Sequence, residues 1–184
     1  MRLHHITRIT IIVPELELAI AEHCQGVQAH VTRFDVPDAR AMALGVSVAG
    51  ARAALIAASD AVQFELIALP DANPTAQRLG WAGFERKQNS VSVLVNCADS
   101  AVSAAFYLGL GANAVYQLDA RTRAIQLSDS ELRFESRESC APAMDLGNLS
   151  CGILSVQLAR VGSRGQAGPL RLLRGPDAEL IELV

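Results

Sequence analysis

Two stretches of this chain lie over each other without a gap. Arg8 to Ile20 reads RITIIVPELELAI, and Ser90 to Val102 reads SVSVLVNCADSAV. Ile9, Ile11, Val13, Ala19 and Ile20 fall on Val91, Val93, Val95, Ala101 and Val102. In each copy the alternating apolar residues predict a strand. Each strand ends at a helix-start signal: Pro14 with Glu15 and Glu17 in the first copy, Asn96 to Ser100 in the second. Helical spacing follows, with Leu16, Ile20 and Cys24 in one and Val102, Phe106 and Gly109 in the other. Gly26 and Gly111 are placed to end the two helices.

The second halves repeat as well. ARAALIAASDAVQFELIAL (Ala51 to Leu69), TRAIQLSDSELRFES (Thr122 to Ser136) and PLRLLRGPDAELIELV (Pro169 to Val184) each set a turn signal between two apolar runs. Each carries a glutamate on the returning strand: Glu65, Glu135 and Glu182. A copy therefore reads strand, helix, strand, hairpin. The expected fold is α+β, built from paired βαβββ modules. Residues 1–70 form the first module and 71–87 a turn-rich linker. Residues 88–184 form the second, elaborated module, in which 138–150 is an irregular connection. Residues 150–184 read either as part of that module or as a degenerate third one that has lost its helix.

Composition limits the function. The net charge is −3 with scattered basic residues, which argues against a nucleic-acid partner. No apolar run is long enough to span a membrane, and the N-terminal residues read as a strand rather than a leader. The four cysteines lack CxxC spacing and read as free thiols, so a cytoplasmic protein is expected. GSRGQAG (Gly162 to Gly168) has no phosphate-loop spacing and reads as a mobile loop.

The final segment, GPDAELIELV, poses a chemical question. Read as a strand, it is apolar on both faces, yet Glu182 sits among the apolar residues. A buried carboxylate needs a metal, a cation, strong donors or a proton.

With these features the chain resembles the vicinal oxygen chelate superfamily, the glyoxalase, bleomycin-resistance and extradiol-dioxygenase proteins. The resemblance rests on the paired βαβββ pattern, on FYLGLG (Phe106 to Gly111) and on the RGPDAELIELV ending. It implies that the curved mixed sheets of the two modules surround a shared cleft, that a small organic ligand binds there and, commonly, a homodimer. In metal-dependent members it also implies a His or Gln from each module's first strand and a Glu from its last. Glu182 matches the last-strand glutamate and Glu65 takes the same place in the first module. Glu135 competes with Glu182 for that place.

The family's register puts the first-strand ligand at Arg8, and the repeat then gives Ser90. Neither is a usual metal ligand. All four histidines (His4, His5, His23, His30) precede the second module. A metal would need His4 or Gln88 out of register, so no metal cofactor is expected. Arg8 is expected to hold Glu182 or Glu65 in its place. Such a pair either only organises the cleft or leaves a second glutamate in apolar surroundings as a general base. Ser90 and Ser92 could donate hydrogen bonds to a ligand. The expected function is a metal-independent glyoxalase-like lyase or isomerase, with Glu65 and Glu182 catalytic and Arg8, Ser90, Ser92 and Glu135 binding ligand. The alternatives are a non-catalytic, bleomycin-resistance-like binding protein and a metal-dependent enzyme with rearranged ligands.

Overall fold

The computed structural model describes residues 2–58, 62–72, 78–87, 90–138, 140, 151–161 and 170–184 of the 184-residue chain. The first module runs β1 (Arg2–Val13), α1 (Leu16–Cys24), β2 (Ala29–Asp35), α2 (Asp38–Leu44), β3 (Arg52–Ala58) and β4 (Gln63–Ala68). β5 (Gly80–Lys87) precedes the second module, which runs β6 (Ser90–Cys97), α3 (Ser100–Gly109), β7 (Val115–Gln117), β8 (Thr122–Gln126) and β9 (Ser130–Ser136). The C-terminal strands are β10 (Gly152–Val161), β11 (Arg171–Arg174) and β12 (Leu180–Leu183). The second module has βαβββ order, the first has the same order with α2 inserted between β2 and β3, and the strands lie in two mixed sheets.

The repeat reappears in the pairing. β1 lies parallel to β4 with Thr10 beside Glu65, and β6 lies parallel to β9 with Ser92 beside Glu131. Ile9, Ile11 and Val13 of β1 and Val91, Val93 and Val95 of β6 all enter one core. Leu16, Ala19 and Ile20 of α1, with Ala104 and Tyr107 of α3, pack into the same core. Both helices start and stop where the sequence signals lie. Asp99 caps α3 by accepting from Ala101 N at 2.7 Å, and Gly111 follows with φ 104°.

The C-terminal strands join the first module. The seven-stranded sheet has the order β11-β12-β10-β1-β4-β3-β2, with β10 antiparallel to β1 and β12 parallel to β10. The other sheet has the order β5-β6-β9-β8-β7.

One element corrects the sequence reading. The expected linker contains β5, antiparallel to β6. A register shift between Trp81 and Gly83 turns both Trp81 and Phe84 toward the core, and this bulge breaks the alternation that marks a strand in sequence. The turn signal at Ser59-Asp60, Gln88, most of the 138–150 connection and the 162–168 loop lie outside the described residues. Among the described residues no helix is long and apolar enough to cross a membrane.

Candidate functional site

Side chains alternate across a sheet, so register decides what meets. Thr10 on β1 is flanked by Glu65 on β4 and Ser155 on β10, and Gln157 on β10 is flanked by Glu182 on β12. These residues share one face of the seven-stranded sheet. The opposite face supplies Ile9, Phe64, Leu66, Val156 and Ile181 to the main core.

Helix α2 covers part of the polar face. It begins after Pro37 and ends at Gly45, whose φ of 68° is left-handed. Ala41 and Leu44 pack in a second apolar cluster with Ile12, Ala53, Ile67 and Leu180. This docking aims Arg40 between the two glutamates. Its Nη2 lies 2.5 Å from Glu65 Oε2 and 3.0 Å from Glu182 Oε1, its Nη1 2.7 Å from Glu182 Oε2, and its Nε 3.2 Å from Glu65 Oε1. Thr10 Oγ1 donates to Glu65 Oε2 at 2.8 Å, and Ser155 Oγ to Glu182 Oε1 at 2.5 Å. Gln157 Nε2 reaches Glu182 Oε2 at 3.4 Å. The side chains of Glu65 and Glu182 are 3% and 0% exposed, and that of Arg40 is 13% exposed.

Two bidentate guanidinium contacts in a buried site make strong charge-assisted bonds. Burial pushes the Glu65 carboxyl upward, but the hydrogen bonds and charge of Arg40, with Thr10 and Arg8, outweigh it and hold the group below its ordinary pKa. Burial likewise opposes the Arg40 charge, and the two glutamates overcome it to raise the pKa further. A divalent ion does not fit this donor set. Both carboxylates are committed to the guanidinium, and the groups beside them on β1 and β10 are the hydroxyls of Thr10 and Ser155 and the amide of Gln157, whose nitrogen faces Glu182; none of the described residues here offers an imidazole or an uncommitted carboxylate.

Arginine does hold Glu182 and Glu65, but through Arg40 rather than Arg8. Arg8 lies on the same face, next to the clamp, and its Nη2 donates to Gln63 Oε1 at 3.4 Å. The site residue of β1 is Thr10, one inward-facing position further along the strand. Ser90, Ser92 and Glu135 lie on the five-stranded sheet, apart from the clamp. Ser92 donates to Glu131 Oε1 at 3.3 Å, and Glu135 pairs with Arg137 at 2.9 Å. Register makes Glu131, not Glu135, the counterpart of Glu65, and Arg133 holds it. His4 meets His5 and Ser128 instead of the clamp.

Sequence signals existed for the missed residues. Thr10 and Ser155 are hydroxyls in the middle of apolar strands, and Pro37-Asp38 to Gly45 carries a helix start and stop.

A second buried acidic pair sits just before β12. Asp177 accepts from Ala98 N at 2.9 Å and from Ser103 Oγ at 2.7 Å, while Glu179 accepts from Tyr107 Oη and Asp177 N, each at 3.0 Å. Burial, with Asp177 nearby, pushes Glu179 up to about 7 despite these bonds. A Cβ on Gly175 would come 1.9 Å from Glu179 Oε1, so a larger residue there would have to displace this buried carboxylate.

No protein-family model matches the chain, and no curated protein matches it significantly. Among solved structures it is similar to a candidate dioxygenase from Bacillus subtilis, at 9% identity and TM-score 0.36 over 100% of this chain and 62% of that one. It is also similar to a V278E mutant of glyoxalase I from Zea mays, at 15% identity and TM-score 0.31 over 97% of this chain and 66% of that one. A third is methylmalonyl-CoA epimerase from Streptomyces coelicolor, at 14% identity and TM-score 0.24 over 73% and 99% of the two chains. All are vicinal oxygen chelate proteins. The chain thus spans less than two thirds of the length of the first two. Likenesses this weak establish no activity, and the fold class rests on strand order and register.

Proposed function

We propose that this chain is a vicinal oxygen chelate protein that binds a small organic molecule without a metal and without turning it over. One observation carries the reading: Arg40 engages both Glu65 and Glu182 through paired contacts, where a metal-dependent relative would hold an ion. A lyase or isomerase working by proton transfer needs a carboxylate free to take a proton near neutral pH. Glu65 is held the other way, and both oxygens of Glu182 accept hydrogen bonds. The geometry therefore favours the binding alternative, of the bleomycin-resistance kind, over catalysis.

The proposed ligand lies next to the clamp, on a partly exposed part of the same face. The row beside it crosses the sheet through Gln157, Arg8, Gln63 and Ala57, all partly exposed. Leu55, also partly exposed, lies on the same face beside Glu65. The test is a fragment screen by saturation-transfer NMR on protein purified without chelator, with metal analysis of the same sample. Hits should shift the backbone amides of Arg8, Gln63 and Gln157 and remain chemically unchanged during long incubation. A stoichiometric divalent ion in the sample, or conversion of a hit that E65Q abolishes, overturns the reading.

A further inference from the structure

We infer that the ligand of this face is a small monocarboxylate, and that Arg8 is its anchor; this rests on the binding reading above. Arg40 is fully engaged, but Arg8 is not. Its Nε is buried without a hydrogen-bond partner, and one Nη donates only across 3.4 Å to Gln63. A guanidinium N–H buried without an acceptor is costly, so a planar two-oxygen acceptor is the group that completes it.

The surroundings define the rest of the ligand. Arg8 lies between Gln63 on β4 and Gln157 on β10. Gln157 is oriented by Thr7, whose Oγ1 donates to its Oε1 at 2.8 Å, and its amide nitrogen faces Glu182. Ala57 and Leu55 on β3 continue this face as a short apolar floor. A carboxylate on a compact apolar body suits this combination of groups.

Charge selects a monoanion. The guanidiniums of Arg8 and Arg40 balance the carboxylates of Glu65 and Glu182. One added negative charge leaves a modest excess, softened by partial exposure. A phosphate dianion would add a third and fourth negative charge beside two buried carboxylates, which like-charge repulsion disfavours.

The experiment uses the whole chain labelled with nitrogen-15 arginine. The Arg8 Nε–H resonance is assigned by its loss in R8Q. Acetate, isobutyrate and benzoate are titrated in turn, with the corresponding neutral amides and inorganic phosphate as controls. The carboxylates should shift the Arg8 resonance saturably while Arg40 stays fixed, and R8Q should weaken their binding about tenfold or more.

Amides that bind as well as the acids, or carboxylates that bind R8Q equally, overturn the carboxylate assignment and leave the binding reading intact. Phosphate binding tighter than any carboxylate overturns the monoanion selection. If neither acids nor amides give saturation transfer from the protein, both the assignment and the binding reading fall.

Discussion

Arg40 carries one positive charge against the two negative charges of Glu65 and Glu182, and water reaches almost none of the three. Replacing both partners of such a cluster costs little, whereas removing one strands the others. Arg40→Met should therefore destabilise the fold by about 3–5 kcal/mol in urea unfolding, the range for breaking a buried ion pair. Replacing both glutamates by glutamine in the same variant should restore most of that loss. If the single substitution costs no more than an exposed pair does, about 1 kcal/mol or less, the clamp contributes nothing to the fold. The depressed pKa of Glu65 sets an acid limit. Its folded value lies below the unfolded one, so its contribution is complete above about pH 4.5 and is lost as pH falls through the folded value. Unfolding midpoints measured from neutral pH downward should fall less steeply below that pH in E65Q than in the parent chain.

At the scale of elements, α1 and α3 were legible because each follows an alternating strand and carries its own start and stop signals. The same was true of the repeated strands, whose apolar residues recur without a gap. Two elements were hidden for different reasons. β5 was hidden by its bulge, since period-two reasoning fails when one residue is added. The role of α2 was hidden because a seven-residue helix says little about which sheet it will cover. Arg40 meets Glu182 across 142 positions of sequence, so only the joining of β10 to β1 could reveal the clamp. The family's register put an arginine, Arg8, in the ligand position; the residue type was right and the residue was not, because Arg40 reaches the glutamates from α2. The turn between β11 and β12 makes its own prediction. Glu179 has a folded pKa of about 7 against an ordinary 4.5, so its contribution is full below about pH 4.5 and is lost as pH rises through about 7. Glu179→Gln should remove that decline and make the chain more stable than the parent at pH 8, by on the order of 2–3 kcal/mol. Chemical denaturation at pH 5 and pH 8 checks this. Equal stability differences at the two pH values would show that Glu179 titrates normally.

For the molecule as a whole, the C-terminal strands join the two modules rather than decorate one of them. β10 pairs along β1 from Arg2↔Val161 to Ile12↔Gly152, so without it the central strand becomes an edge. Ile153, Val156, Leu158, Ile181 and Leu183 enter the core that both modules share. From β5, Trp81 Nε1 donates to Leu180 O at 2.8 Å, and from α3 of the second module Tyr107 and Ser103 hold the turn before β12. The same turn leads directly into Glu182, so docking onto α3 and closure of the Arg40 clamp are mechanically continuous. A chain ending at residue 150 should therefore fail as a whole rather than lose a local patch. It keeps Arg40 and Glu65 but loses Glu182, the cover over β1 and the acceptor for Trp81. Trp81 is the only tryptophan, and it is buried in the intact chain, so its emission reports this junction directly. The parent should show one urea transition, coincident by Trp81 fluorescence and far-ultraviolet circular dichroism. The truncated chain should emit at longer wavelength, unfold without a cooperative step and self-associate through the exposed edge of β1. Adding residues 151–184 as a separate peptide should restore the buried emission in the parent sequence, and less so with R40M. A truncated chain that remains monomeric and unfolds cooperatively would instead make each βαβββ module self-sufficient, with the last three strands an accessory to the first.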